Sequence, residues 1–216
     1  MYICGKLELK MNFWKFRDQF YDLICFNINQ VYAWEPGFDK NNLTRWTKQN
    51  RLVKLRNSWY SFPEYIKTPN FQLFVSNKIY APSYVSLHSA LSFYGIIPEA
   101  VIHTTAVSSL KKVNFENQFG TFSYQQILPE LMFGYEKKTF LNKHSLIIAS
   151  PEKAILDLMY LFPLYNSEQD IRELRFDEEF MHEDVNVEQL LDFTEKFDSK
   201  ILKKRVDILL KMYNLC

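Results

Sequence analysis

The sequence predicts an α+β protein: an N-terminal winged helix-turn-helix followed by a mixed α/β domain with a helical C-terminal segment. Three observations carry this reading. Three helical patterns and then a hairpin pattern succeed one another across residues 12–62. Short strand-like runs follow beyond residue 76, and helical periodicity returns from residue 150 onward.

Over residues 12–28, Phe13, Phe16, Phe20, Leu23, Ile24 and Ile28 recur at three-to-four spacing, as on a helix that buries one face. A second short helix is expected over residues 28–34, broken by Glu35-Pro36-Gly37. Asp39 offers an N-cap carboxylate to a third helix that runs to about Asn50 and turns Leu43 and Trp46 inward. Residues 52–56 and 59–62 alternate around Asn57-Ser58, the pattern of a β-hairpin, and Pro63 ends it. Trp59 and Tyr60 are expected to pack this wing against the helices.

A helix over residues 86–94 should open on Ser86 and close at Gly95, a residue suited to a left-handed C-terminal turn. Strand-like runs follow at 101–105, 111–115, 119–124, 133–136 and 145–149, with Asn117 and Gly120 supplying turn chemistry. Ser150-Pro151-Glu152 then provides a cap, a first-turn proline and a first-turn acid for a helix ending near Phe162. On it, Ala154 and Leu156 are expected to pack and Glu152 and Lys153 to be exposed. Further helical patterns cover 168–176, 187–197 and 199–213. A boundary within 63–78 gives a DNA-binding unit at 12–66 and an interaction domain at 78–216; residues 1–11 read as a loose extension, with Met11 an alternative start.

Composition narrows the function classes. Of 216 residues 47% are hydrophobic and 24% charged, a folding composition rather than a disordered one. The net charge of +1 conceals a segregation. Lys40, Arg45, Lys48, Arg51, Lys54 and Arg56 face only Asp39 within 39–56, a local +5, whereas 168–198 holds twelve acids against Arg172, Arg175 and Lys196, a local −9. Cys4, Cys25 and Cys216 form no paired framework, and the first residues are interrupted by Lys6 and Glu8. The longest apolar run, 154–162, contains Asp157 and is far too short to span a bilayer. A cytoplasmic protein is expected.

The third helix presents Asn42, Thr44, Arg45, Lys48 and Gln49 as polar positions not needed for packing. Arginine can bond guanine bidentately, and asparagine or glutamine can do the same for adenine. Lys48, Arg51, Lys54 and Arg56 suit phosphate contacts, which fix register without reading sequence. These residues point to a DNA-binding regulator and not an enzyme. The alternative is an interaction module whose helix face binds protein.

A third reading, a metal-dependent nuclease, would rest on Glu136-Lys137-Lys138 with Glu130 as the nearest upstream acid, for which a charged strand end is the simpler account. His88, His103, His144 and His182 are scattered, Ser86 and Ser89 lack a nucleophile elbow, and no metal or cofactor is expected. Cys25 reads as inert core. Lys200, Lys203, Lys204 and Arg205 form a second basic run, expected to pair with the acidic stretch before it.

Three blocks then stand in a recognisable order: the segment ending Leu52-Val53-Lys54-Leu55-Arg56-Asn57-Ser58-Trp59-Tyr60; Tyr84-Val85-Ser86-Leu87-His88-Ser89-Ala90-Leu91 with Tyr94-Gly95-Ile96-Ile97-Pro98-Glu99; and Ile148-Ala149-Ser150-Pro151-Glu152-Lys153-Ala154-Ile155-Leu156-Asp157. Across residues 15–162 the chain resembles the antitoxin-like transcriptional regulators of abortive-infection type IV toxin–antitoxin systems, the AbiEi family. Where that family usually carries a glycine in the wing turn, this chain has Asn57-Ser58-Trp59. The resemblance implies a repressor of its own operon that binds inverted repeats in promoter DNA and counters a nucleotidyltransferase-like toxin. An orphan regulator without a toxin is the remaining alternative, and the acidic tail matches none of these blocks.

Overall fold

Asn12 starts the first element by accepting the backbone N–H of Trp14 at 3.0 Å, which caps α1 (Phe13–Phe20). In the computed structural model, which describes residues 11–99, 101–141 and 143–215, the chain divides after Phe71 into two compact units. The expected extension over 1–11 lies, Met11 apart, outside the described residues, as do Cys4 and Cys216.

The helical periodicity over 12–28 does not produce one helix. After α1 a single 3-10 turn (Tyr21–Leu23) leads to Ile24 at φ 67°, and the chain then extends as β1 (Cys25–Asn27). A left-handed β-branched residue is costly, so tertiary partners must hold it. Ile24 is fully buried, and its carbonyl accepts the Ser61 hydroxyl at 2.5 Å. Asn27 then opens α2 (Ile28–Trp34) with a reciprocal capping box to Gln30.

After α3 (Asn41–Lys48) come β2 (Val53–Arg56) and β3 (Trp59–Ser61). The three strands pair antiparallel in the order β1-β3-β2, with Phe26 opposite Tyr60 and Lys54 opposite Tyr60 on the other side. Ser58 turns the hairpin at φ 67°. The core beneath is made of rings: Phe16 lies 4.7 Å from Trp46 and 5.4 Å from Phe26, between centroids, and Tyr60 stacks on Phe26. Such pairs add about 0.5–1.5 kcal/mol each beyond the area they bury.

The stretch expected to form a boundary, 63–78, overlaps α4 (Phe71–Ile79). The second unit is built on a six-stranded sheet in the order β6-β7-β5-β4-β9-β8. Its strands are β4 (Ser83–Val85), β5 (Thr104–Ser108), β6 (Val113–Asn117), β7 (Gly120–Gln126), β8 (Tyr135–Phe140) and β9 (His144–Ala149). The short central strand β4 pairs antiparallel with β5 and parallel with β9, and all three of its residues are buried. Asn77 of α4 ties into the sheet by bonding both the N–H and the carbonyl of Ile147. Helix α5 (Leu87–Tyr94) runs from Ser86 to Gly95, which is left-handed at φ 78°.

Helix α6 (Pro151–Leu161) is capped by Ser150, as the sequence predicts, but Glu152 and Lys153 are buried rather than exposed. The helix is apolar on nearly every side through Ala154, Ile155, Leu156, Leu158 and Met159, and such a helix is enclosed by its neighbours, polar residues included. Glu152 accepts the backbone N–H of Asn186 at 3.0 Å. Lys153 forms an ion pair with Asp157, and the carboxylate also accepts the hydroxyls of Tyr84 at 2.9 Å and Ser86 at 2.8 Å. The rings of Phe197 and Phe133 flank the ammonium, with centroids at 4.4 and 4.8 Å. Burial pushes the Lys153 ammonium down and the Asp157 carboxyl up from their ordinary values, while each draws the other back toward the charged form.

Four further helices complete the unit: α7 (Glu168–Arg172), α8 (Glu178–Glu183), α9 (Val187–Lys196) and α10 (Lys200–Met212). The expected pairing of the second basic run holds at Lys203, 2.5 Å from Glu195. Arg205 departs from it: this guanidinium is buried and donates to the carbonyls of Met159 and Pro163. No helix among the described residues is long and apolar enough to cross a membrane.

Candidate nucleic-acid interface

Two faces of α3 do different work. Asp39 accepts the backbone N–H of Asn41 at 2.9 Å and so starts the helix. Leu43 and Trp46 point into the ring core, Trp46 meeting Phe13 edge-on at 5.2 Å. At the far end Asn50 turns left-handed at φ 55°, and the N–H groups of Arg51 and Leu52 both return to the Trp46 carbonyl, which swings the chain into β2. The Trp46 carbonyl therefore sets where the chain leaves the helix for the hairpin.

On the outer face Asn41, Thr44, Arg45, Lys48 and Gln49 line an open depression of about 370 Å³. Thr44, Lys48 and Gln49 are exposed and Arg45 is half-buried. Arg45 and Lys48 fall in the last turn, where cations also complement the helix dipole. Lys54 is exposed on β2, and Arg56 is half-buried at the turn opposite Trp59. Arg51 lies between helix and hairpin with its guanidinium 5.1 Å from the Phe13 ring centre. Among the described residues no ion pair joins Arg45, Lys48 or Lys54 to an acid.

Asn42 is a correction. Expected as a polar surface position, it is 6% exposed, and its Oδ1 accepts Arg45 Nη2 at 2.6 Å. It shares the inward side of the helix with Leu43 and Trp46, so an amide there serves a neighbour before any ligand. Periodicity was the available signal: positions 42, 43 and 46 fall on one helical face.

Elsewhere several chemistry-bearing side chains are occupied within the fold. Glu136 lies 2.7 Å from Lys138 Nζ and accepts the Tyr94 hydroxyl at 2.8 Å, while Glu130 is exposed on a separate 3-10 turn (Pro129–Leu131). Among the described residues no group of three His, Cys, Asp or Glu side chains is arranged to hold a metal ion. Ser89 exchanges hydrogen bonds with Thr105 and donates its hydroxyl to the His103 carbonyl, and Ser86 donates to Asp157. His88 is half-buried against Phe162, and burial holds its imidazole below the ordinary value.

On α3, Arg45 and Lys48, neither joined to an acid by an ion pair among the described residues, thus line an open concavity. No family model matches this chain, and neither does any curated protein.

Proposed function

We propose that residues 12–66 form a winged helix-turn-helix that binds duplex DNA, and that the chain is a transcriptional regulator. The observation that carries this is the depression on α3 lined by the cations Arg45 and Lys48 with Thr44 and Gln49, together with an exposed Lys54 on the hairpin that follows in sequence. The element order supports it: helix, short strand, two helices and a hairpin, with the first strand joining the hairpin as its third member. In such a fold the third helix enters the major groove and the hairpin lies along the backbone. Thr44, Arg45 and Gln49 would then face base edges, while Lys48, Arg51, Lys54 and Arg56 would neutralise phosphates.

The test is binding of a fluorescent duplex from upstream of the chain's own gene, followed across a salt series. Phosphate neutralisation makes affinity fall steeply as salt rises. Arg45→Ala combined with Lys48→Ala should abolish binding and leave the far-UV circular dichroism intact. Retained affinity in that variant removes α3 from the interface.

The second unit is proposed as the antitoxin part, which acts in the cytoplasm and counters a nucleotidyltransferase-like toxin. Support comes from the sequence blocks Tyr84–Glu99 and Ile148–Asp157, which contain the whole of α5 and the start of α6. Co-expression with a nucleotidyltransferase-like product of the neighbouring gene tests it: growth is restored by the full chain, and continued arrest rejects the assignment.

A further inference from the structure

The geometry points to Asn42 as a positioning residue that presents the Arg45 guanidinium for bidentate recognition of guanine, so that one base pair of the site is read by the Asn42–Arg45 pair. This inference rests on the DNA-binding reading above and specifies its partner: a duplex with a guanine facing the N7/O6 reader on α3.

The argument starts from the side chains. A free arginine explores many rotamers, and ordering it on binding costs affinity. Here one Nη2 hydrogen is already given to Asn42 Oδ1 at 2.6 Å, across one turn of the same helix. Asn42 is 6% exposed, so burial restricts the acceptor's freedom to move. Nη2 carries two hydrogens, and the guanidinium has five in all. With one engaged, a complete pair of parallel N–H groups remains available, the fork that matches guanine N7 and O6. Arg45 lines the depression beside Thr44 and Lys48, so this free edge lies at the proposed contact surface. Lys48 and Lys54 have no such anchor among the described hydrogen bonds and ion pairs, which suits the looser task of meeting phosphate.

The experiment uses the full chain and a randomised duplex pool, from which the preferred site is selected. Guanines in the selected site are then replaced one at a time by 7-deazaguanine, which removes the N7 acceptor and little else. The wild-type chain should lose at least about tenfold in affinity at one such position. Arg45→Ala and Asn42→Ala should both lose less than about twofold there, while the slope of log affinity against log salt stays the same for Asn42→Ala as for wild type. A merely structural asparagine would weaken all duplexes alike and leave the 7-deazaguanine penalty in place. Should Asn42→Ala not fold by circular dichroism, Asn42→Ser, which is small and polar but too short to reach Arg45, takes its place. Either folded variant keeping the full wild-type penalty overturns the inference while DNA binding stands, and so does a selected site in which no guanine shows the penalty. If the wild-type chain enriches no sequence and binds no duplex, the DNA-binding reading itself has failed.

Discussion

Lys153 and Asp157, one helical turn apart on α6, form an ion pair from which solvent is wholly excluded on both sides. Tyr84 and Ser86 of the central strand region complete the carboxylate's hydrogen bonds, so the pair fastens α6 to the middle of the sheet. Removing one partner of a buried pair leaves a charge without compensation and costs about 3–5 kcal/mol. Asp157→Asn and Lys153→Met should each destabilise the chain by that order. The double variant, with neither charge left, should be more stable than either single one. Urea unfolding of all four proteins checks this, and simple additivity of the two losses would refute it.

Gly134 admits no side chain. A methyl group there would come within 2.7 Å of the Phe193 ring and 3.1 Å of Lys153 Cβ, and the backbone is left-handed at φ 67°. Gly134→Ala should therefore cost about 1–3 kcal/mol through overpacking and strain. A thermal midpoint equal to that of wild type would contradict the crowding.

The Glu136 carboxyl is held below its ordinary value, chiefly by the hydrogen bond from Lys138 and further by the Tyr94 hydroxyl, against a burial effect in the other direction. A carboxyl depressed on folding stabilises the native state above its unfolded value. That contribution is lost as pH falls through the lower folded value. Glu136→Gln should lower the melting temperature at about pH 6 and narrow the gap to wild type toward about pH 3. The same variant should bind duplex as wild type does, since this carboxylate lies outside the proposed interface.

Lys54 sits on the exposed side of β2 and is assigned to phosphate. Lys54→Ala should weaken binding to matched and unmatched duplexes by the same factor and reduce the salt slope by about one. A loss confined to the matched duplex would make Lys54 a base reader instead.

Much of this arrangement was legible from local chemistry. Asp39, Gly95 and Ser150 mark helix ends through their own side chains or backbone freedom, and the structure places turns or caps at each, whereas Ser86 precedes α5 without a side-chain cap and donates its hydroxyl to Asp157 instead. The hairpin around Asn57-Ser58 announces itself by alternation. Features that depend on distant partners were not legible. Strands β1 and β4 have three residues each, too few for a period, and Leu23 and Ile24 continue a helical spacing that the chain abandons. Helix α4 overlaps the stretch where a boundary is expected; its apolar residues, Phe71, Phe74, Val75 and Ile79, are buried, yet they make no strongly one-sided pattern. At the proposed interface, the exposed cations Lys48 and Lys54 follow from sequence. The burial of Asn42 required knowing which way α3 faces.

The parallel pairing of Val85 with Ile148 has a consequence for how the protein is made. During synthesis the first unit can close its small sheet once Ser61 has left the ribosome, because every strand it needs lies at or before that residue. Strand β4 must wait until β9 has been translated, and parallel pairings across such a separation form slowly. A nascent chain therefore carries a finished amino-terminal unit while β4 still has one edge uncovered, an interval in which chaperones have most to protect.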